Sequence, residues 1–253
     1  MLIAVGVDVI DVAARIVLFP FLAWQGYVTR KHALKLPEAA GRREGVAGAG
    51  PDIRLLIVGD SSAAGVGTSH QEEALLGQVK KRLIQTNTVH WWLDAKTGAS
   101  TADAYQRLLR RPAQQVDIVS VSLGVNDITG HVPLPLWLAR YNKLLNLLQE
   151  KFDAQVICVN GIPKMEYFPV LPQPLRWILG QQAKRFDWYL QKLVARRPEC
   201  RFVPLDFEPD PSLMSEDGYH PGPKIYAAWA RKVFRAIRED VKGPGKDQGP
   251  LLH

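Results

Sequence analysis

The 253-residue sequence predicts an α/β fold, a three-layer α/β/α sandwich around a five-stranded parallel sheet. Three observations carry that reading. From Arg54 onward, apolar runs of strand length alternate with amphipathic stretches of helical length. The runs are apolar almost throughout rather than at every second residue, which marks strands covered on both faces. Polar, glycine-containing clusters follow the runs, where open parallel sheets bind their ligands.

The elements follow in order. RLLIVG, residues 54–59, is the first strand, and LLGQVKKRLIQ beyond it is an amphipathic helix. VHWWLDA (89–95) is the second strand, leading into the helix TADAYQRLLRR. VDIVSVSLG (116–124) is the third, followed by a long helix through LPLWLARYNKLLNLLQEKF. AQVICVNGI (154–162) is the fourth, with a helix over about 174–196. RFVPLDF (201–207) is the fifth, and GPKIYAAWARKVFRAIRED closes the domain as a helix.

The flanks differ in character. Residues 1–35 form an apolar N-terminal segment in which Asp8, Asp11 and Arg15 recur at helical spacing, so an amphipathic helix is expected up to a kink at Pro20. A secretory signal would carry positive charge before its apolar region and a small-residue cleavage site after it, and neither is evident. A spanning helix would have to bury both acids. Arg30, Lys31 and Lys35 follow the apolar stretch, an asymmetry that would keep the next domain on the cytoplasmic side. We expect an interfacial membrane anchor here, a helix packed on the domain itself being the alternative. The expected location is cytoplasmic, or membrane-associated on the cytoplasmic side, with a periplasmic or secreted location left open. Residues 36–52 read as a linker, 53–240 as the catalytic-type domain and 241–253 as a flexible tail.

The formal charge of +7 is spread along the chain without zinc-finger spacing or an aromatic RNA-binding signature. It reads as a solvated basic surface, and no nucleic-acid partner is expected. Cys158 and Cys200 are the two cysteines, too few for a disulfide framework or a metal site.

The chemistry lies at the strand ends. Gly59-Asp60-Ser61-Ser62 follows the first strand, Thr97-Gly98-Ala99-Ser100 the second, Gly124-Val125-Asn126-Asp127 the third, and Asp217-Gly218-Tyr219-His220-Pro221 comes after the fifth. The glycines near Ser61 do not form a phosphate loop: Gly65 is followed by Val66-Gly67-Thr68 where such a loop needs lysine, and Asp60 would repel an anion. Four clusters converging on one rim supply a nucleophile, a base, an orienting acid and oxyanion donors, the inventory of acyl transfer.

At these residues the sequence resembles the SGNH, or GDSL, hydrolases, which carry Gly-Asp-Ser, a glycine, Gly-x-Asn-Asp and Asp-x-x-His in that order. The matching residues are Gly59-Asp60-Ser61, Gly98, Gly124-Val125-Asn126-Asp127 and Asp217-Gly218-Tyr219-His220, over roughly residues 53–240. One departure is Ser62, which stands where that family has leucine. The resemblance implies a flavodoxin-like sheet and a Ser-His-Asp triad. Ser61 would be the nucleophile at the start of a helix, His220 the general base and Asp217 the residue that orients it. The N–H groups of Ser61 and Gly98 and the side-chain amide of Asn126 would form the oxyanion hole. The scheme requires no metal or organic cofactor. Ser62 reads as a small residue beside the site, and His70, His90 and His131 lie in no motif.

Specificity is expected from Pro163–Gly180, a segment rich in aromatic, leucine and proline residues that serves as a lid or as packing surface. An apolar rim suits a hydrophobic acyl ester better than a sugar. The expected substrate is therefore a small-molecule carboxylic ester, lipid-like in its acyl part. Acyl-thioester hydrolysis or glycan O-deacetylation would use the same triad, and a non-catalytic ligand-binding protein on this fold is the reading from another class. Oligomeric state is not legible.

Overall fold

The computed structural model describes residues 17–207 and 210–241. Asp8, Asp11 and Arg15, and the tail from residue 242, fall outside that range. In chain order the elements are α1 (Phe19–His32), β1 (Glu44–Gly48), β2 (Asp52–Gly59), α2 (Leu75–Leu83), β3 (Thr88–Ala95), α3 (Thr101–Arg110), β4 (Ile118–Ser122) and the one-turn α4 (Val125–Thr129). They continue with α5 (Leu134–Phe152), β5 (Val156–Asn160), α6 (Leu175–Val194), β6 (Cys200–Val203) and α7 (Pro223–Val241).

The sheet has six strands in the order β1-β3-β2-β4-β5-β6, where the sequence predicts five. The five expected strands pair in parallel, and the sixth, β1, runs antiparallel along the outer edge of β3 from Glu44 opposite Trp92 to Gly48 opposite Thr88. It lies inside residues 36–52, which composition marks as a linker. EGVAG carries two glycines and little apolar pattern, and its edge position leaves Val46 facing solvent. Pro20 lies in the first turn of α1, where its missing N–H leaves no helical bond unmade.

Alternation along β2 sorts the core into two layers. Leu56 and Val58 point to one side, with Ala104 and Leu108 of α3, Trp137 to Phe152 of α5 and Leu179 to Val194 of α6. Ile53, Leu55 and Ile57 point to the other, with α2 and with Tyr226, Trp229 and Val233 of α7. β2, β4 and β5 are buried on both faces, which is why each reads as an unbroken apolar run, whereas β3 alternates buried with half-buried residues. Successive connections leave β2 toward β3 on one side and return to β4 on the other. The crevice outside the carboxyl ends of these strands is thus the switch point where a ligand site is expected.

Candidate active site

The loop carrying Ser61 starts where β2 ends. The Asp60 N–H donates to Ser122 O at 3.3 Å, extending the ladder by one residue before the chain turns. Residues 61–67 form tight turns, with the Ala64 N–H on Asp60 O (2.9 Å) and the Val66 N–H on Ser61 O (3.0 Å). This corrects the expectation that Ser61 opens a helix, since α2 begins at Leu75. A single turn cannot propagate through two glycines with left-handed backbone, Gly65 and Gly67 (φ +85° and +97°). Gly67 also passes so close to the His220 loop that a Cβ would lie 2.3 Å from Pro221 O. The Tyr226 hydroxyl reaches Ser62 O at 2.9 Å and Val66 O at 2.7 Å, tying the loop to α7.

On the facing loop, the Ser215 N–H donates to His220 O at 2.9 Å and closes a short turn around Asp217. Asp217 Oδ1 accepts from Ser215 Oγ (2.7 Å), the Tyr219 N–H (2.9 Å) and the His220 N–H (3.0 Å). Its Oδ2 lies 2.6 Å from His220 Nδ1. Burial alone would raise this carboxyl's pKa, but the bonds from His220, Ser215 and Tyr219 together hold it well below the usual carboxylate range. An ionised Asp217 can only accept, so Nδ1 carries the proton and Nε2 is left as an acceptor. Ser61 Oγ lies 2.8 Å from that Nε2, the position in which its hydroxyl donates to the ring. Ser61, His220 and Asp217 are thereby aligned across 159 residues of chain.

Of the oxyanion candidates, Ser61 and Asn126 line the cavity beside this alignment, and Gly98 does not. Among the described residues, the Ser61 and Gly98 N–H groups have no hydrogen-bond acceptor. Gly98 takes a left-handed turn (φ +78°) with nothing within 4 Å of where a Cβ would project. Asn126 lies in α4 beside the cavity, its Nδ2 donating to Ala99 O at 3.0 Å and reaching Asp60 Oδ2 at a longer 3.4 Å. The structure therefore ties Asn126 to the Gly98 turn through Ala99. Glu38 Oε1 steadies the same turn by accepting from the Thr97 N–H (2.7 Å) and hydroxyl (2.8 Å). Glu38 belongs to the segment read as a linker, and no pattern in its neighbours points to this contact.

Ser62 takes the place expected of it, a small residue beside the site, and its partner is Asp60. The Ser62 N–H and Oγ–H both donate to Asp60 Oδ1, at 3.0 and 2.8 Å. Burial pushes the Asp60 pKa up, and the bonds from Ser62 oppose that without cancelling it. Asp127, next to Asn126, turns away from the site and caps α3, accepting from the Thr101 N–H (2.9 Å) and hydroxyl (2.8 Å).

A cavity of about 110 Å³ opens beside Ser61, Asn126 and His220. Its walls are mostly apolar, including Ile162, Phe168, Leu205, Phe207, Met214 and Trp229. Pro163, Lys164, Tyr167 and Phe168 bring the front of the Pro163–Gly180 segment into that wall, whereas Met165, Leu171 and Leu175 are buried in the core. The segment is thus both a wall and a packing element. Among the described residues, no group of three or more His, Cys, Asp or Glu side chains could hold a metal ion.

Residues 57–228 match the model of the GDSL-like lipase/acylhydrolase family, a span of well over half the chain. The chain belongs to that family. A GDSL-like esterase of Mycobacterium tuberculosis is 28% identical over 206 residues, covering 74% of this chain and 62% of the mycobacterial protein. The chain therefore spans under two thirds of that relative's length. Among solved structures, the psychrotrophic esterase EstA from Pseudoalteromonas sp., inhibited by monoethylphosphonate, superposes with a TM-score of 0.56 at 19% identity, over 75% of this chain and 99% of that one. Axe2, an acetylxylan esterase from Geobacillus stearothermophilus, gives 0.52 at 16% identity, over 77% and 96%. These likenesses show a shared fold. The GDSL motif itself ends here in Ser62, whose hydroxyl is bound to Asp60.

Proposed function

We propose that this GDSL-family chain hydrolyses carboxylic esters with apolar acyl groups through a Ser61–His220–Asp217 triad and an acyl-enzyme intermediate. The observation that carries this reading is the unbroken alignment of Asp217 Oδ2, the His220 ring and Ser61 Oγ, with contacts of 2.6 and 2.8 Å. His220 Nε2 takes the Ser61 proton as Oγ attacks the ester carbonyl carbon. The resulting oxyanion is met by the Ser61 and Gly98 N–H groups and one hydrogen of the Asn126 amide. That hydrogen is the one facing Asp60, because its 3.4 Å contact is the weaker of the two. Collapse of the tetrahedral intermediate expels the alcohol, which takes its proton from His220. A water, activated by the same ring, then releases the acid and restores Ser61.

The apolar cavity wall favours an acyl chain beside the nucleophile, and its modest volume favours a short or medium one. Converting Ser61 to alanine should lower kcat on p-nitrophenyl esters by about 10⁵–10⁶, and a fluorophosphonate probe should label wild type at Ser61. Retained activity in Ser61→Ala, or labelling elsewhere, would overturn the assignment. A panel of esters varying in acyl length should peak at short to medium apolar chains. A peak on acetylated sugars would instead align the substrate with that of the acetylxylan esterase.

A further inference from the structure

Helix α1 is built inside out. Its buried residue is Gln25, whose Nε2 donates to Gln173 O at 2.7 Å and whose Oε1 accepts the Leu175 N–H at 3.2 Å. That N–H belongs to the first turn of α6, so Gln25 satisfies a donor that the helix itself leaves unpaired. Leu22 packs on the core from the same side, one turn earlier. The opposite side carries Trp24 and Tyr27, which are 57% and 64% exposed. Phe21 is stacked on Trp24 at 5.7 Å and is also open to solvent. Isolated exposed apolar residues are ordinary, but the adjoining rings of Phe21, Trp24 and Tyr27 on one short helix form a patch that needs a partner.

Charge identifies that partner. The sequence has no Asp or Glu between Asp11 and Glu38, whereas Arg15, Arg30, Lys31 and Lys35 fall in the same interval. Lys31 and Tyr27 are adjacent, with Nζ 5.9 Å from the ring centroid. A second copy of the chain would bring two basic faces together, which is repulsive; an anionic surface would neutralise them. Tryptophan and tyrosine rings above a basic cluster match the headgroup layer of a bilayer, and α1 at 14 residues is about 21 Å long, short of the hydrocarbon thickness. Among the described residues no helix is long and apolar enough to cross a membrane.

We propose that α1 is a docking surface for anionic lipid bilayers, with Phe21, Trp24 and Tyr27 in the headgroup layer and Lys31 and Lys35 against lipid phosphates. The helix rests on the segment at Gln173 and Leu175 that leads back to Phe168 in the cavity wall. Phe168 in turn meets Tyr219, the neighbour of His220, edge-on at 5.0 Å between ring centroids. Docking therefore places the segment that supplies part of the cavity wall beside the membrane, where amphipathic esters are concentrated. That consequence rests on the ester-hydrolase reading; the docking itself does not.

The test uses the full chain in its Ser61→Ala form, so that binding is measured without turnover. It should sediment with phosphatidylcholine vesicles carrying about 30% phosphatidylglycerol, much more weakly with phosphatidylcholine alone, and less as salt is raised. Trp24→Ser with Tyr27→Ser, and separately Lys31→Glu with Lys35→Glu, should each weaken binding by about 10-fold or more. Both changes lie outside the catalytic machinery, so in a Ser61 background they should leave hydrolysis of a soluble short ester unchanged, which also reports that the variants fold. Equal binding by wild type and both double variants, no binding to anionic vesicles, or a concentration-dependent dimer abolished by Trp24→Ser with Tyr27→Ser would overturn the proposal. If Ser61→Ala retained activity while vesicle binding held, the catalytic assignment would fall and the docking surface would stand.

Discussion

Asp60 and Asp217 both lie beside the candidate nucleophile and both are buried, yet their surroundings move them in opposite directions. Asp217 sits in a turn that aims two N–H groups, a hydroxyl and an imidazole at one carboxylate. Asp60 sits at the end of a strand, where Ser62 supplies two short bonds and Asn126 a long one. Burial raises both pKa values; the richer set of donors at Asp217 outweighs it, and the poorer set at Asp60 does not. Asp60 is also the more completely desolvated of the two, so burial and the donor set together drive the carboxyls in opposite directions. Asp217 is held charged beside the His220 ring, whereas Asp60 holds the groups on either side of it.

Of the two carboxylates, Asp217 should show the larger effect when changed to asparagine. The asparagine amide can turn its oxygen or its NH₂ toward His220 Nδ1, and the wrong choice leaves Nε2 carrying the proton, unable to accept from Ser61. We expect kcat to fall by about 10⁴ with KM little changed. A loss below about 10-fold would mean that Asp217 is not what orients the ring.

Asp60→Asn tests the other side of the comparison. Its amide oxygen can still accept from Ser62, but its NH₂ then faces the Asn126 NH₂ across the 3.4 Å gap. Displacing one oxyanion donor sets a ceiling of about 10²–10³, and partial misalignment should cost about 10–10² in kcat, again with KM little changed. Stability against pH should separate the two sites by sign. The Asp217 pKa is lowered on folding, so its stabilisation is present above the unfolded value of about 4 and fades as pH falls through the folded value; the deficit of Asp217→Asn should shrink in acid. The Asp60 pKa is raised, so wild type loses stability as pH rises from about 4 through the folded value. The deficit of Asp60→Asn should therefore grow in acid. Denaturant melts from pH 3 to 8, with deficits that moved together, would show that the two carboxylates do not differ in this way.

What was legible in the sequence follows the same division between patterned and unpatterned contacts. β2, β4 and β5 could be read because burial on both faces leaves unbroken apolar runs, and β3, β6 and the long helices because apolar residues recur at strand or helical spacing. Ser61, His220, Asp217, Gly98 and Asn126 could be named because each follows a strand or stands in a short motif. β1 could not, since an edge strand of five residues is held by backbone pairing with β3 rather than by its own apolar pattern. Nor could the turn at Ser61, where two left-handed glycines stop a helix that the motif suggests. Tyr226 reads as an apolar residue of α7, yet its hydroxyl holds carbonyls at Ser62 and Val66 some 160 residues away. Side chains that grip distant backbone leave no local signature.

Glu38 is the third carboxylate at this rim and the one whose removal should have the smallest effect. It lies in the stretch read as a linker and reaches 59 residues ahead to Thr97, next to the Gly98 turn. One oxygen accepts both the Thr97 N–H and hydroxyl; the other pairs with Arg43 at 2.8 Å, a half-exposed ion pair of little energetic consequence. If the Thr97 bonds set the direction of the Gly98 N–H, Glu38→Ala should lower kcat by about 5-fold, the equivalent of one hydrogen bond of about 1 kcal/mol. Glu38→Gln keeps an oxygen in the same place and gives up the Arg43 pair, so it should stay within about twofold of wild type. Equal losses in the two variants would instead assign the effect to charge at the rim, and no loss in either would mean that the Gly98 turn keeps its direction without help from the segment before β2.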